Sequence, residues 1–215
     1  METHRTRVKI CGVTRIEDAL LACELGADAV GIVMTPSSPR CASIPRARAI
    51  RDVLPAFVAA VVVTADANLH EIEDIVSGVE PSLLQFHGHE DPAACGQAGV
   101  PYIKAFSMSD PQAPHPESMV DGYRGAAAIL LDARIVGEPD KGSPFDWGRI
   151  PARLPRPLIL AGGLDETNVA SAIAAVMPYA VDVSSGVESA PGVKDRLKLA
   201  HFMAAVRRAD RDRGT

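Results

Sequence analysis

Two side chains in this sequence sit where one proton could be taken and another given. Cys11 closes the run Arg7-Val8-Lys9-Ile10 and is followed by Gly12 and then by a helix start. A thiol placed there serves as a base or nucleophile once a helix N-terminus or a nearby cation brings its pKa down towards working pH. Its bland alternative is a small buried hydrophobe. Asp132 ends the apolar run Ala127-Ala128-Ile129-Leu130-Leu131. A carboxyl carried into so apolar a setting is a candidate general acid near neutrality, or else a helix cap or a lysine's partner.

Other residues are suited to holding anions. Gly162-Gly163 and Ser184-Ser185-Gly186 each follow a strand-like run. Glycine lets a backbone come close to a ligand, and N–H groups of such turns grip phosphate; ordinary tight turns are the competing account. Arg40, in Ser37-Ser38-Pro39-Arg40, has the fork that a carboxylate accepts bidentately. His87-Gly88-His89 has two alternate imidazoles but no third ligand close in sequence, so no metal is expected. Cys23 and Cys95 fall in helical segments and read as packing residues, whereas Cys41 lies in a loop. No C-x-x-C pair occurs among the four cysteines, and free thiols in a reducing cytoplasm are expected.

The elements that must position these groups recur with one plan. Strand-like runs are predicted at 8–11, 29–34, 57–64, 83–87, 102–106, 127–132, 157–161 and 180–184, with helical stretches between them. Thr14-Arg15-Ile16-Glu17 reads as a capping box opening a helix that Gly26 ends. Asn68 caps another, Asp91 opens a short one, Asp165 caps a third, and Val193–Arg208 forms the last. The proline-rich stretch 110–117 predicts a short or irregular helix after the fifth strand. Eight strands alternating with helices in 215 residues predict an α/β fold, one parallel eight-stranded (β/α)8 TIM barrel spanning 1–215, with 1–6 and 210–215 flexible. An open doubly wound sheet is disfavoured, because no G-x-G-x-x-G follows the first strand.

In such a barrel, chemistry sits at the C-terminal ends of the strands. Cys11, Gln85, His87, Asp132, Asp182 and Ser184 all fall there. Period two puts Lys9 with Cys11 and Gln85 with His87 on common faces. Strands one and eight are neighbours in a closed barrel, so Lys9 and Asp182 are expected to neutralise each other inside it.

Composition narrows the field. A net charge of −5 and 4% aromatic residues give no support for a nucleic-acid surface. No apolar run approaches the roughly 20 residues that cross a bilayer, and the polar start is no secretory signal. A monomer or homodimer acting on a small molecule in the cytoplasm is expected.

Taken in order, Lys9-Ile10-Cys11-Gly12, Ser38-Pro39-Arg40, Gln85-Phe86-His87-Gly88, Leu131-Asp132, Phe145-Asp146-Trp147, Ala161-Gly162-Gly163-Leu164, Asp182-Val183-Ser184-Ser185-Gly186-Val187-Glu188 and Pro191-Gly192-Val193-Lys194-Asp195 resemble the phosphoribosylanthranilate isomerase family. The resemblance runs through nearly the whole chain. It implies a (β/α)8 isomerase of tryptophan biosynthesis that uses no cofactor or metal. N-(5′-phosphoribosyl)anthranilate would undergo an Amadori rearrangement to 1-(2-carboxyphenylamino)-1-deoxyribulose 5-phosphate. It further implies Asp132 as the general acid at the furanose oxygen and Cys11 as the general base at C2′. Arg40 would hold the anthranilate carboxylate, Gln85, His87 and Asp182 would bind substrate, and Gly162, Gly163, Ser184, Ser185 and Gly186 would hold the phosphate.

Two places depart from the family pattern. The segment 133–144 lacks the paired glycines of the family's loop, and Val62-Val63-Thr64 lacks its Phe and Asn. These changes bear on substrate fit more than on reaction type. The competing readings are a related phosphosugar isomerase or epimerase with another aglycone, and a non-catalytic barrel that binds a phosphorylated ligand. A cysteine hydrolase is disfavoured, since His87 lies on a strand not adjacent to that of Cys11.

Overall fold

Short runs rich in valine, isoleucine and alanine, closed by turn residues, supply the strands. They are β1 Arg7–Ile10, β2 Ala29–Val33, β3 Ala59–Thr64, β4 Leu83–Phe86, β5 Tyr102–Ser107, β6 Ala128–Asp132, β7 Leu158–Ala161 and β8 Ala180–Val183. In this computed structural model, which describes residues 5–108, 118, 120–132, 147, 150 and 154–213, all eight pair in parallel and in order. β8 closes on β1, with Lys9 opposite Asp182. The (β/α)8 barrel expected from the alternation is therefore what the chain forms.

Strand periodicity separates two apolar layers. Ile10, Ile32, Val62, Leu84, Ile129, Leu131, Leu160 and Val181 pack outward beneath the helices. Val61, Ile103, Ala105, Leu130 and Ile159 fill the barrel interior, with small alanines beside them. The helices are α1 Ile16–Leu25, α2 Ile44–Asp52, α3 Leu69–Val79, α4 Pro92–Gln97, α5 Val169–Val176 and α6 Arg196–Arg213. The expected stretch 110–117 and loop 133–144 lie outside the described residues. Between them, Asp121–Tyr123 makes a single 3-10 turn.

Local signals fared unevenly. Asn68 accepts from the Glu71 N–H, and Glu71 reaches back to the Asn68 N–H, a complete capping box on α3. Asp91 caps α4 through the Ala94 N–H. Thr14 does not cap α1, which starts at Ile16; its hydroxyl donates to the Gly192 carbonyl at 2.7 Å instead. The competitor is a small hairpin that the periodicity did not predict, β9 Glu188–Ala190 against β10 Val193–Lys194. The same hairpin moves the start of α6 from Val193 to Arg196. At its other end α6 continues to Arg213 through the charged stretch expected to fray. There the Asp210 carboxylate accepts the Thr6 N–H at 2.9 Å and its hydroxyl at 2.6 Å.

Candidate active site

At the C-terminal ends of the strands a cavity of about 270 Å³ opens, reached by Cys11, Arg40, Gln85, His87, Asp132 and Asp182. Gly162, Gly163, Ser184 and Ser185 complete one wall. Of the expected site residues, only Gly186 stands back from the surface of the cavity.

Beneath the thiol, the Lys9 ammonium lies 3.0 Å from the Asp182 carboxylate, both side chains buried. This is the neutralisation expected of strands one and eight. Burial disfavours the Lys9 charge, but Asp182 and the Cys11 sulfur outweigh it and raise the lysine pKa above its ordinary value. Lys9→Met would strand the Asp182 carboxylate. We expect it to lower the unfolding free energy by about 3 kcal/mol, measured by urea denaturation, with most of the loss recovered in Lys9→Met/Asp182→Leu. A loss under about 1 kcal/mol would contradict this account.

Cys11 corrects one expectation. Its pKa is not brought down: burial pushes the thiol above its ordinary value, and the hydrogen-bonded Lys9 offsets this only in part. The physical reason is distance and packing. Helix α1 begins at Ile16, five residues beyond the thiol. The sulfur instead packs over Gly31, where an added Cβ would lie 2.8 Å from Sγ and 3.0 Å from the Lys9 Nζ. The missing side chain on β2 gives Lys9 and Cys11 the space to meet.

Across the barrel mouth, the Asp132 carboxylate sits 3.7 Å from His87 Nε2. Burial holds the His87 pKa below the ordinary imidazole value against the pull of Asp132, which favours the neutral ring. His89 turns away to an exposed contact with Asp66 at 3.3 Å. The His87-Gly88-His89 run is therefore not a chelate. Its loop is anchored from below: Glu90 accepts the Gly88 and Asp66 N–H groups and faces the buried Lys104 at 2.8 Å. Gln85 is buried in the cavity wall, and its Oε1 has no hydrogen-bond partner among the described residues.

Gly162 and Gly163 adopt φ +96° and +63°, a left-handed pair that turns the chain sharply after β7. An added Cβ on Gly163 would meet nothing within 4 Å. Ser185–Val187 forms a 3-10 turn after β8. An added Cβ on Gly186 would collide with the Leu164 carbonyl, which seats the β8 turn against the β7 turn.

Arg40 reaches the cavity too, yet its Nε and Nη2 donate to Glu188, at 2.9 Å and 2.5 Å. Glu188 in turn accepts from the Lys194 Nζ at 2.8 Å. Sequence reasoning assigned these two acidic and basic residues no role. A signal was present: Gly186-Val187-Glu188 and Gly192-Val193-Lys194 bring opposite charges into register across a four-residue turn. Among the described residues, no group of three or more His, Cys, Asp or Glu side chains is gathered as metal ligands.

The model of the family "N-(5'phosphoribosyl)anthranilate (PRA) isomerase" matches residues 8–205. The chain belongs to this family. The N-(5'-phosphoribosyl)anthranilate isomerase of Pseudomonas putida (strain W619) is 49% identical over 204 residues, covering 94% of this chain and 98% of that one. The crystal structure of phosphoribosyl anthranilate isomerase from Thermotoga maritima superimposes with a TM-score of 0.83 at 39% identity, covering 94% and 98% of the two chains. A further isomerase structure, in complex with reduced 1-(o-carboxyphenylamino)-1-deoxyribulose 5-phosphate, gives 0.79 at 39% identity over the same shares.

Proposed function

We propose that this isomerase-family chain converts N-(5′-phosphoribosyl)anthranilate to 1-(2-carboxyphenylamino)-1-deoxyribulose 5-phosphate in tryptophan biosynthesis. The observation that carries the reading is one cavity lined by a thiol from the end of β1 and a carboxyl from the end of β6. An aldose-to-ketose shift needs one proton given and one taken on opposite sides of a sugar. Asp132 protonates the furanose oxygen, the ring opens to a Schiff base, and Cys11 removes the C2′ proton. The enolamine then tautomerises to the ketone. Positioning of the acid and the base supplies much of the acceleration.

The remaining lining residues take binding roles. The turns at Gly162-Gly163 and Ser184-Ser185-Gly186 hold the phosphate through backbone N–H groups. Gln85, with a buried oxygen that needs a donor, suits a sugar hydroxyl. Asp182 and neutral His87 flank the sugar, and Arg40 faces the anthranilate carboxylate. All these residues come from one chain, so the reading holds for a monomer and for a homodimer.

The test is a fluorescence assay following loss of phosphoribosylanthranilate by the purified protein. Turnover is expected, and it should fall sharply for a phosphoribosylamine whose aryl ring lacks the carboxylate. Equal turnover of both substrates would favour a phosphosugar isomerase of broader aglycone range. Binding without turnover would favour the non-catalytic barrel.

A further inference from the structure

The contact between Arg40 and Glu188 raises a difficulty for any role in binding a carboxylate. A guanidinium already paired with a buried carboxylate is electrically neutral as a unit, and a second carboxylate gains little from it. The Glu188 side chain is only 4% exposed. Burial favours its neutral form, but the hydrogen bonds from Arg40 and Lys194 prevail and hold its pKa below the ordinary glutamate value. The negative charge is therefore real at neutral pH.

Lys194 removes the difficulty. Its Nζ is buried and meets three acceptors: the Cys11 carbonyl at 2.6 Å, the Ser184 carbonyl at 3.2 Å and Glu188 Oε1 at 2.8 Å. Burial lowers the Lys194 pKa from its ordinary value and Glu188 opposes that shift, while three acceptors match the three protons of an ammonium. Arg40, Glu188 and Lys194 then sum to one net positive charge at the cavity wall. Backbone bonds fix the group: the Lys194 N–H donates to Asp18 and the Gly192 N–H to Glu188. Arg40 itself crosses over Gly12, where an added Cβ would run into its Cδ.

We propose that Glu188 and Lys194 are a positioning and specificity pair for Arg40. Glu188 orients the guanidinium, and Lys194 restores the positive charge that Glu188 would otherwise cancel, so that the trio selects an aryl carboxylate. The inference rests on the reading of Arg40 given above. Because Lys194 also holds the Cys11 carbonyl, binding tests it more cleanly than turnover does.

The probes are reduced 1-(o-carboxyphenylamino)-1-deoxyribulose 5-phosphate and its counterpart with a plain phenylamino group. Affinities are measured by calorimetry for the wild type, Lys194→Met, Glu188→Gln/Lys194→Met and Arg40→Ala. In Lys194→Met the trio is neutral, and the preference for the carboxylated probe should fall roughly tenfold to a hundredfold. Affinity for the phenyl probe should stay within about threefold, since it carries no carboxylate to lose. The double variant, in which Arg40 carries the single positive charge of the trio, should recover most of the preference. A merely structural pair would weaken both probes alike and be harmed further by the second substitution; either result overturns the proposal. Should Lys194→Met not fold, the double variant, which removes the Glu188 charge together with that of Lys194, decides alone by keeping the preference or losing it. An unchanged preference in Arg40→Ala would instead overturn the role of Arg40, independently of Lys194.

Discussion

Cys11→Ala is expected to lower kcat by roughly 10²–10⁴-fold while leaving KM within a few-fold of the wild type. The methyl group gives up the sulfur's contact over Gly31 and has no lone pair for the C2′ proton. The cavity, the phosphate turns and Arg40 are untouched, so binding should persist. Steady-state kinetics with phosphoribosylanthranilate check this, with substrate-analogue affinity as the control. Near-normal turnover would remove Cys11 from the role of base. A parallel collapse of binding would mark it as a packing residue.

Asp132→Asn is expected to cost a comparable 10²–10⁴-fold in kcat, since the amide keeps the shape and cannot protonate the ring oxygen. This variant also exposes the thiol's titration. With the carboxyl gone, the remaining pH dependence belongs to the base, which acts only as thiolate. Burial holds the Cys11 pKa above its ordinary value, so the thiolate fraction rises with pH across the neutral range. Residual turnover should therefore climb about tenfold per pH unit from pH 6 to 8, without reaching a plateau in that window. A residual rate that is flat over that range would place the base elsewhere.

How much of this was legible depended on the reach of each interaction. Alternation and strand count sufficed for the barrel, because period two and eight repeats are carried by every strand. Closure made β1 and β8 neighbours, and that alone located the Lys9–Asp182 pair. Asp132, Gln85 and His87 were placed by lying at or just beyond the C-terminal ends of their strands. The Cys11 titration was not legible, because it depends on Gly31, a residue of the neighbouring strand, and on where α1 begins. Arg40 was seen as a lone fork because its partner Glu188 lies 148 positions on. Thr14 looked like a cap because its alternative acceptor, Gly192, is 178 positions away. The expected Asn68 cap held, since the Glu71 N–H it accepts from is three residues away.

The Lys9–Asp182 pair also has a consequence in time. Its members are separated by 173 positions and belong to the first and last strands. While a nascent chain lacks β8, a barrel interior closed around Lys9 would enclose an uncompensated ammonium, a state penalised by several kcal/mol, on the order of what a whole domain has to spare. An arc of seven strands is thus kept from settling into a premature ring. The two charges bias the chain against early closure until the strand that completes the site has been made.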